Sequence, residues 1–162
     1  MIAALFLLGS VPGAQAAETA RVAGIEKDAS LKLDNGKKIL LAGIELPEES
    51  MPLLGVLVGG KDIEFSGDSA SAELPPDAVA PSYLYVNTSE IELPFAQAVA
   101  AREKKIMINE LLVAIGAARV LRNLEFEHKT AFIELEDKAR LDGQGLWSYE
   151  VIPPDDVLSQ DS

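Results

Sequence analysis

Apolar residues in this chain come in short runs broken by turn-forming residues, and one long helical period stands near the C-terminal end. Residues 21–25 and 31–33 predict two short strands around the turn Glu26-Lys27-Asp28-Ala29. Asp34-Asn35-Gly36 then signals a hairpin, because Asn and Gly tolerate positive φ. Residues 39–48 read ILLAGIELPE. Ile39, Leu40, Leu41, Ala42 and Ile44 are apolar without alternation, which predicts a strand covered on both faces. Pro47 lacks a backbone donor and ends that strand. Residues 51–58 predict a short helix, with Pro52 acceptable in its first turn and Gly55 weakening it. After Gly59-Gly60, residues 61–65 alternate and place Ile63 and Phe65 on one face of a strand. Residues 66–80 are small, polar and proline-bearing and read as loop, and Tyr83 to Val86 as another strand.

The second half is less regular. Residues 90–107 have no clear period: 95–101 fit a short helix, and Arg102-Glu103-Lys104-Lys105 a solvated charged run. Asn109 is placed as the cap of a helix over 110–115 that ends at Gly116. Residues 117–121, apolar around Arg119, form a short strand in this reading. The strongest helix spans 125–141, with Phe126, Thr130, Ile133 and Asp137 stepping along it and Ala131, Leu135 and Ala139 beside them. Gly143 and Gly145 terminate it, and Leu146-Trp147 folds back as an apolar plug. The fold class expected is β-rich α+β: an OB-fold, five-stranded barrel with packed helices. Its core should include Leu41, Ile44, Ile63, Phe65, Leu112, Phe132 and Leu146.

Length and composition narrow the options. A chain of 162 residues supports one domain with a real core, and 48% hydrophobic with 25% charged residues is ordinary for a globular protein. The net charge of −12 is not ordinary. Nucleic acid is bound chiefly by Lys and Arg neutralising phosphates, so this charge disfavours a nucleic-acid partner and favours a protein or cationic one. There are no cysteines, hence no disulfide and no thiolate metal site. Residues 2–8 are an apolar run, followed by Gly9, Pro12, Gly13 and Ala14-Gln15-Ala16. That pattern reads as a signal peptide cut after Ala16, although no Lys or Arg precedes the run. It is too short to span a bilayer. The expected organisation is a signal peptide over 1–16, a domain over 17–148 and a loose acidic tail over 149–162, in a secreted or periplasmic protein.

Chemistry is sparse. Glu45 and Glu48 stand at the end of a buried strand, where two acids can hold a cation or activate a water, or simply be solvated. His128 is the only histidine and has no partner for nucleophilic catalysis, so ordinary packing is its expected role. No phosphate loop or zinc spacing occurs, and the glycosylation sequon Asn87-Thr88-Ser89 is a pattern common by chance.

Three blocks carry a resemblance. Leu40-Leu41-Ala42-Gly43-Ile44-Glu45-Leu46-Pro47-Glu48 resembles the Arg-Leu-x-Gly-Ile-Asp-x-Pro-Glu segment of staphylococcal nuclease-like (thermonuclease) domains. Ile108 to Val120 is similar to that family's Val-Asn-x-x-Leu-Val-x-x-Gly-x-Ala-x-Val, and Glu136 to Trp147 to its Glu-x-x-Ala-Arg-x-x-x-x-Gly-Leu-Trp. The resemblance implies the OB barrel and, in active members, Ca²⁺-dependent phosphodiester hydrolysis. There, acids hold the ion, a glutamate activates water and two arginines meet the phosphate charge.

Carried onto this chain, the catalytic glutamate falls on Glu48 and one ion ligand on Glu45, where the family has Asp. The second ion ligand falls on Ala29, with Asp28 one position away as the substitute. The arginines fall on Leu40 and Pro81. Arg102, Lys104 and Lys105 are the replacement cations the sequence offers. These residues support two readings. One is an exported, catalytically degenerate domain acting as a binding module for an unknown protein or cationic partner, with no cofactor. The other is a divergent nuclease using Ca²⁺ at Glu45 and Asp28, with Glu48 as base. On the export reading, N-terminal sequencing of protein recovered from a secreting host begins at Ala17; a retained Met1 would count against it.

Overall fold

Strand β1 (Glu18–Ile25) pairs with two different neighbours, and that division is the start of a barrel. In the computed structural model, which describes residues 16–71, 79–91 and 104–149, its first half runs antiparallel to β5 (Asp62–Gly67), from Glu18↔Phe65 to Arg21↔Asp62. Its second half pairs with β2 (Leu31–Leu33), and a register shift between Val22 and Gly24 bends the strand from one partner to the other. The hairpin at Asp34-Asn35-Gly36, with Gly36 at φ 83°, leads from β2 into β3 (Lys38–Leu41). β3 pairs in parallel with β6 (Ala80–Asn87), and β6 pairs antiparallel with β5. The ring β1-β2-β3-β6-β5 is therefore closed, a five-stranded mixed barrel of OB type, as expected.

The apolar run 39–44 is not one strand. Gly43 takes φ 74° and turns the chain, so that Ile44–Glu45 forms a separate strand β4 in a two-stranded sheet with β8 (Arg119–Val120). A Cβ on Gly43 would lie 2.4 Å from the Phe126 ring, so that residue is required by contact as well as by conformation. The expected strand at 117–121 is thus real but two residues long. β6 begins at Ala80, inside the expected loop, because its first residues pair with β3. A further strand, β7 (Lys105–Met107), pairs with Tyr85 to Asn87 in the stretch that showed no period, and the Lys105 ammonium pairs with Glu64. The helix expected at 95–101 and Arg102 lie outside the described residues.

Among the described residues, three α-helices pack around this ring. α1 (Met51–Val58) follows a 3₁₀ turn, Glu48–Ser50, and buries Leu54, Leu57 and Val58. α2 (Ile108–Ala114) starts earlier than the Asn109 cap would have it: the cap position is Met107, and Asn109 lies within the first turn with its side chain turned inward. α3 (Lys129–Leu141) begins four residues after Glu125. The reason is tertiary. Asp68 Oδ1 accepts from the Glu127 amide at 2.9 Å and the Tyr83 hydroxyl from that of His128 at 3.4 Å, which anchors this segment ahead of the helix. Phe126 sits there, its ring centroid 5.7 Å from that of Phe132. Leu41, Ile44, Ile63, Phe65, Leu112 and Phe132 are buried as expected. Leu146 is only half-buried; the plug is Trp147, with the Arg140 guanidinium 3.9 Å from its ring centroid.

Asn109, fully buried, joins these parts. Its Oδ1 accepts from the Leu84 amide at 3.0 Å, and its Nδ2 donates to the carbonyls of Ala42 at 3.1 Å and Ser82 at 3.0 Å. β3 pairs with β6 as far as Ser82, and β7 takes over at Tyr85 on the same edge. The Asn109 amide fills the fork between them. Asn109→Ala should cost about 3 kcal/mol, since a buried polar group left unpaired costs about 1–3 kcal/mol. Urea denaturation measures this, and a loss below about 1 kcal/mol would show that the fork does not depend on the amide.

Candidate functional site

The turn at 26–30 and the short strand β4 face one another across a cleft of about 360 Å³. The turn is built from local bonds: the Glu26 amide donates to the Ser30 carbonyl at 2.9 Å and the Ala29 amide to the Glu26 carbonyl at 3.0 Å. Asp28 is fixed within it, because its Oδ1 accepts from the Ser30 hydroxyl at 2.6 Å and from the Ser30 amide at 3.0 Å. Those bonds, the hydroxyl first, hold the Asp28 carboxyl below the usual carboxylate range. Glu26 accepts from Lys38 Nζ at 2.7 Å, which favours the protonated amine and raises its pKa. Ala29, between Asp28 and Ser30, sits at φ 62°, the left-handed region that a side chain with Cβ disfavours.

The opposite wall comes from β3, β4 and the residue after β8. Leu41 and Ile44 are buried there, Leu40, Leu46 and Leu121 half-buried, and Glu45 exposed at the rim. The structure therefore brings Asp28 and Ala29 of the 26–30 turn and Leu40 and Glu45 of the 39–48 segment into one cleft. Leu40 is also the register partner of Pro81 across the parallel β3–β6 pair, so the two positions that the resemblance matches to phosphate-binding arginines are direct neighbours. Glu48 is not among the residues lining this cleft. It is exposed on the 3₁₀ turn leading into α1, and the adjacent Glu49 lines a second cleft, of about 280 Å³, with Leu53, Ile115 and Leu146.

Among the described residues, no group of three or more histidines and acids is placed to hold a metal ion. Lys27 is the basic residue on the rim of the first cleft. Of the candidate replacement cations, Lys105 is engaged with Glu64, and Lys104 is exposed. His128 serves packing: its ring meets Tyr83 edge-on at 4.5 Å and stacks on Phe132 at 6.0 Å.

Sequence reading assigned no role to three buried polar groups. The Tyr83 hydroxyl donates to Asp68 Oδ1 at 2.7 Å, and burial, then that bond, pushes its pKa far above the usual phenol value. Glu136, 1% exposed, accepts from the Val120 amide at 2.9 Å and from Arg122 Nη2 at 2.6 Å, which ties β8 to α3. The stripe buried in α3 is Phe132, Glu136 and Ala139, whereas Thr130, Ala131 and Asp137 of the expected period are exposed, so Glu136 falls on a helical stripe set one position away from the expected one. Asp68 and Tyr83 lie 15 residues apart and gave no such signal.

Residues 80–149 match the family described as Staphylococcal nuclease homologue. The matched span runs from β6 to the 3₁₀ turn Gly145–Tyr149 and contains two of the three resembling blocks; the block at 40–48 lies before it. Comparison with curated proteins finds no match. The strain at Ala29 is directly testable. Ala29→Gly should raise stability by about 1 kcal/mol, because glycine adopts φ 62° without a Cβ clash. Chemical denaturation reads this, and an unchanged or lower midpoint would refute the strained turn.

Proposed function

We propose that this chain is an exported OB-barrel domain of staphylococcal nuclease-like type that works as a binding module and has lost phosphodiester cleavage. The observation that carries the reading is the wall beside β3. Leu40 and Pro81 stand side by side where cleavage would need guanidinium groups, and Asp28 and Glu45 line the same cleft as Leu40. A phosphodiester entering there would meet two carboxylates, leucine and the single ammonium of Lys27, instead of a pair of guanidinium groups. Loss of one preorganised charge donor costs roughly 10²–10³ in rate, and losing several compounds that deficit. A net charge of −12 works in the same direction at long range. The export part of the reading rests on the apolar run 2–8 and the Ala14-Gln15-Ala16 site.

A divergent Ca²⁺-dependent nuclease is the second reading, and one arrangement favours it. Asp28 and Glu45 share a cleft, and Asp28 is held ionised by Ser30. Glu48 would be the base that activates water. Nuclease assays on the purified mature protein, with Ca²⁺ and with chelator, separate the two. The binding-module reading expects no cleavage of DNA or RNA above background, and detectable cleavage in the double variant Leu40→Arg with Ala29→Asp. Cleavage by the unaltered protein that chelator abolishes and Glu48→Gln removes would establish the second reading instead.

A further inference from the structure

We propose that the cleft between the 26–30 turn and β4 receives an aliphatic side chain ending in a cation, a lysine or arginine of a protein partner; this rests on the binding-module reading. Shape and polarity point to that ligand. The buried part of the lining is leucine and isoleucine, with Leu41 and Ile44 buried and Leu40 and Leu121 half-buried, while the exposed lining residues include Asp28, from the turn, and Glu45, from β4. A long basic side chain has the same division, an apolar stem under a charged tip. At about 360 Å³ the cleft lies at the lower end of the range for organic ligands.

The charge balance decides against a bare cation. Lys27 shares the rim with Asp28 and Glu45, so the local excess is a single negative charge. That is too little to retain a small hydrated ion, and burial of methylenes at about 25 cal/mol per Å² has to supply the rest. Glu45 is available for such a contact. Its register partner across β4–β8 is Arg119, the natural cross-strand ion pair, yet the Arg119 guanidinium lies 5.8 Å from the centroid of the Trp147 ring. No ion pair involving Glu45 forms among the described residues. Asp28 is oriented by Ser30, so its contribution to an incoming cation needs little reordering.

Three six-carbon probes test this in ¹H–¹⁵N spectra of the full chain: hexylammonium, hexanol and hexanoate. Hexylammonium should shift the amides of Ala29, Leu40, Glu45 and Leu121 saturably, hexanol more weakly and hexanoate not at all. Glu45→Gln and Asp28→Asn should each weaken hexylammonium binding about threefold, the scale of one solvent-exposed ion contact. Both variants keep the shape of the side chain, and unchanged spectra elsewhere confirm the fold. Equal binding of hexanol and hexylammonium, or shifts scattered over the acidic surface, would overturn the inference. If that happens in a protein that cuts no nucleic acid, the binding-module reading stands with a different face; Ca²⁺-dependent cleavage would overturn both.

Discussion

The fork in β6 is the constraint on which the barrel depends. A five-stranded ring closes here through only three parallel register pairs, Ile39 to Leu41 with Ala80 to Ser82, before β3 leaves the edge. Beyond that point a backbone amide in the core must find another acceptor or remain unpaired, and an unpaired buried amide is costly. Asn109 supplies the acceptor with one end of its side chain and donates to two carbonyls with the other. One amide group thus holds the exit of β3, the middle of β6 and the first turn of α2 in fixed relation. Neither an apolar residue nor an aspartate could do this, because the site needs donors and an acceptor together.

That joint also sets the path of the chain after β3. Beyond Ala42 the backbone turns at Gly43, against the face of Phe126, and β4 leaves to meet β8. β8 is held by Glu136 of α3, and α3 is held at its far end by the contact of Gly116 with Gly145. A Cβ on Gly116 would lie 2.2 Å from the Gln144 carbonyl oxygen, and the Leu146 amide donates to the Gly116 carbonyl at 2.8 Å. Trp147 closes this end, with Arg140 over its ring. The resembling blocks at 108–120 and 136–147 are therefore two sides of one packed joint, consistent with a family match that covers both.

The cleft inherits its shape from these supports. Its apolar wall is the outer side of β3 together with β4, and its acidic wall is a turn whose conformation is maintained by Ser30 despite an unfavourable φ at Ala29. Leucines on one side and an oriented carboxylate on the other suit a ligand with a stem and a charge. The same geometry with guanidinium groups at Leu40 and Pro81 would suit a phosphate.

What the sequence determined by itself was local: the Asp34-Asn35-Gly36 hairpin, the stop at Pro47, the weak helix over 51–58, and the two glycine-ended helices, each written in adjacent residues. The barrel was legible from the order of these elements and from the resembling blocks. Tertiary structure alone decided that 39–44 splits at Gly43, that Asn109 is a buried bridge and not a cap, and that α3 starts at Lys129. It also decided that Asp28 and Glu45 line one cleft while Glu48 is not among its residues. The reason is the range of the interactions. Asn109 bonds to partners 25, 27 and 67 residues away, and Glu127 to Asp68 at a separation of 59. A period along the chain records which face of an element is buried, but not which distant amide a buried polar side chain will reach once the elements have packed.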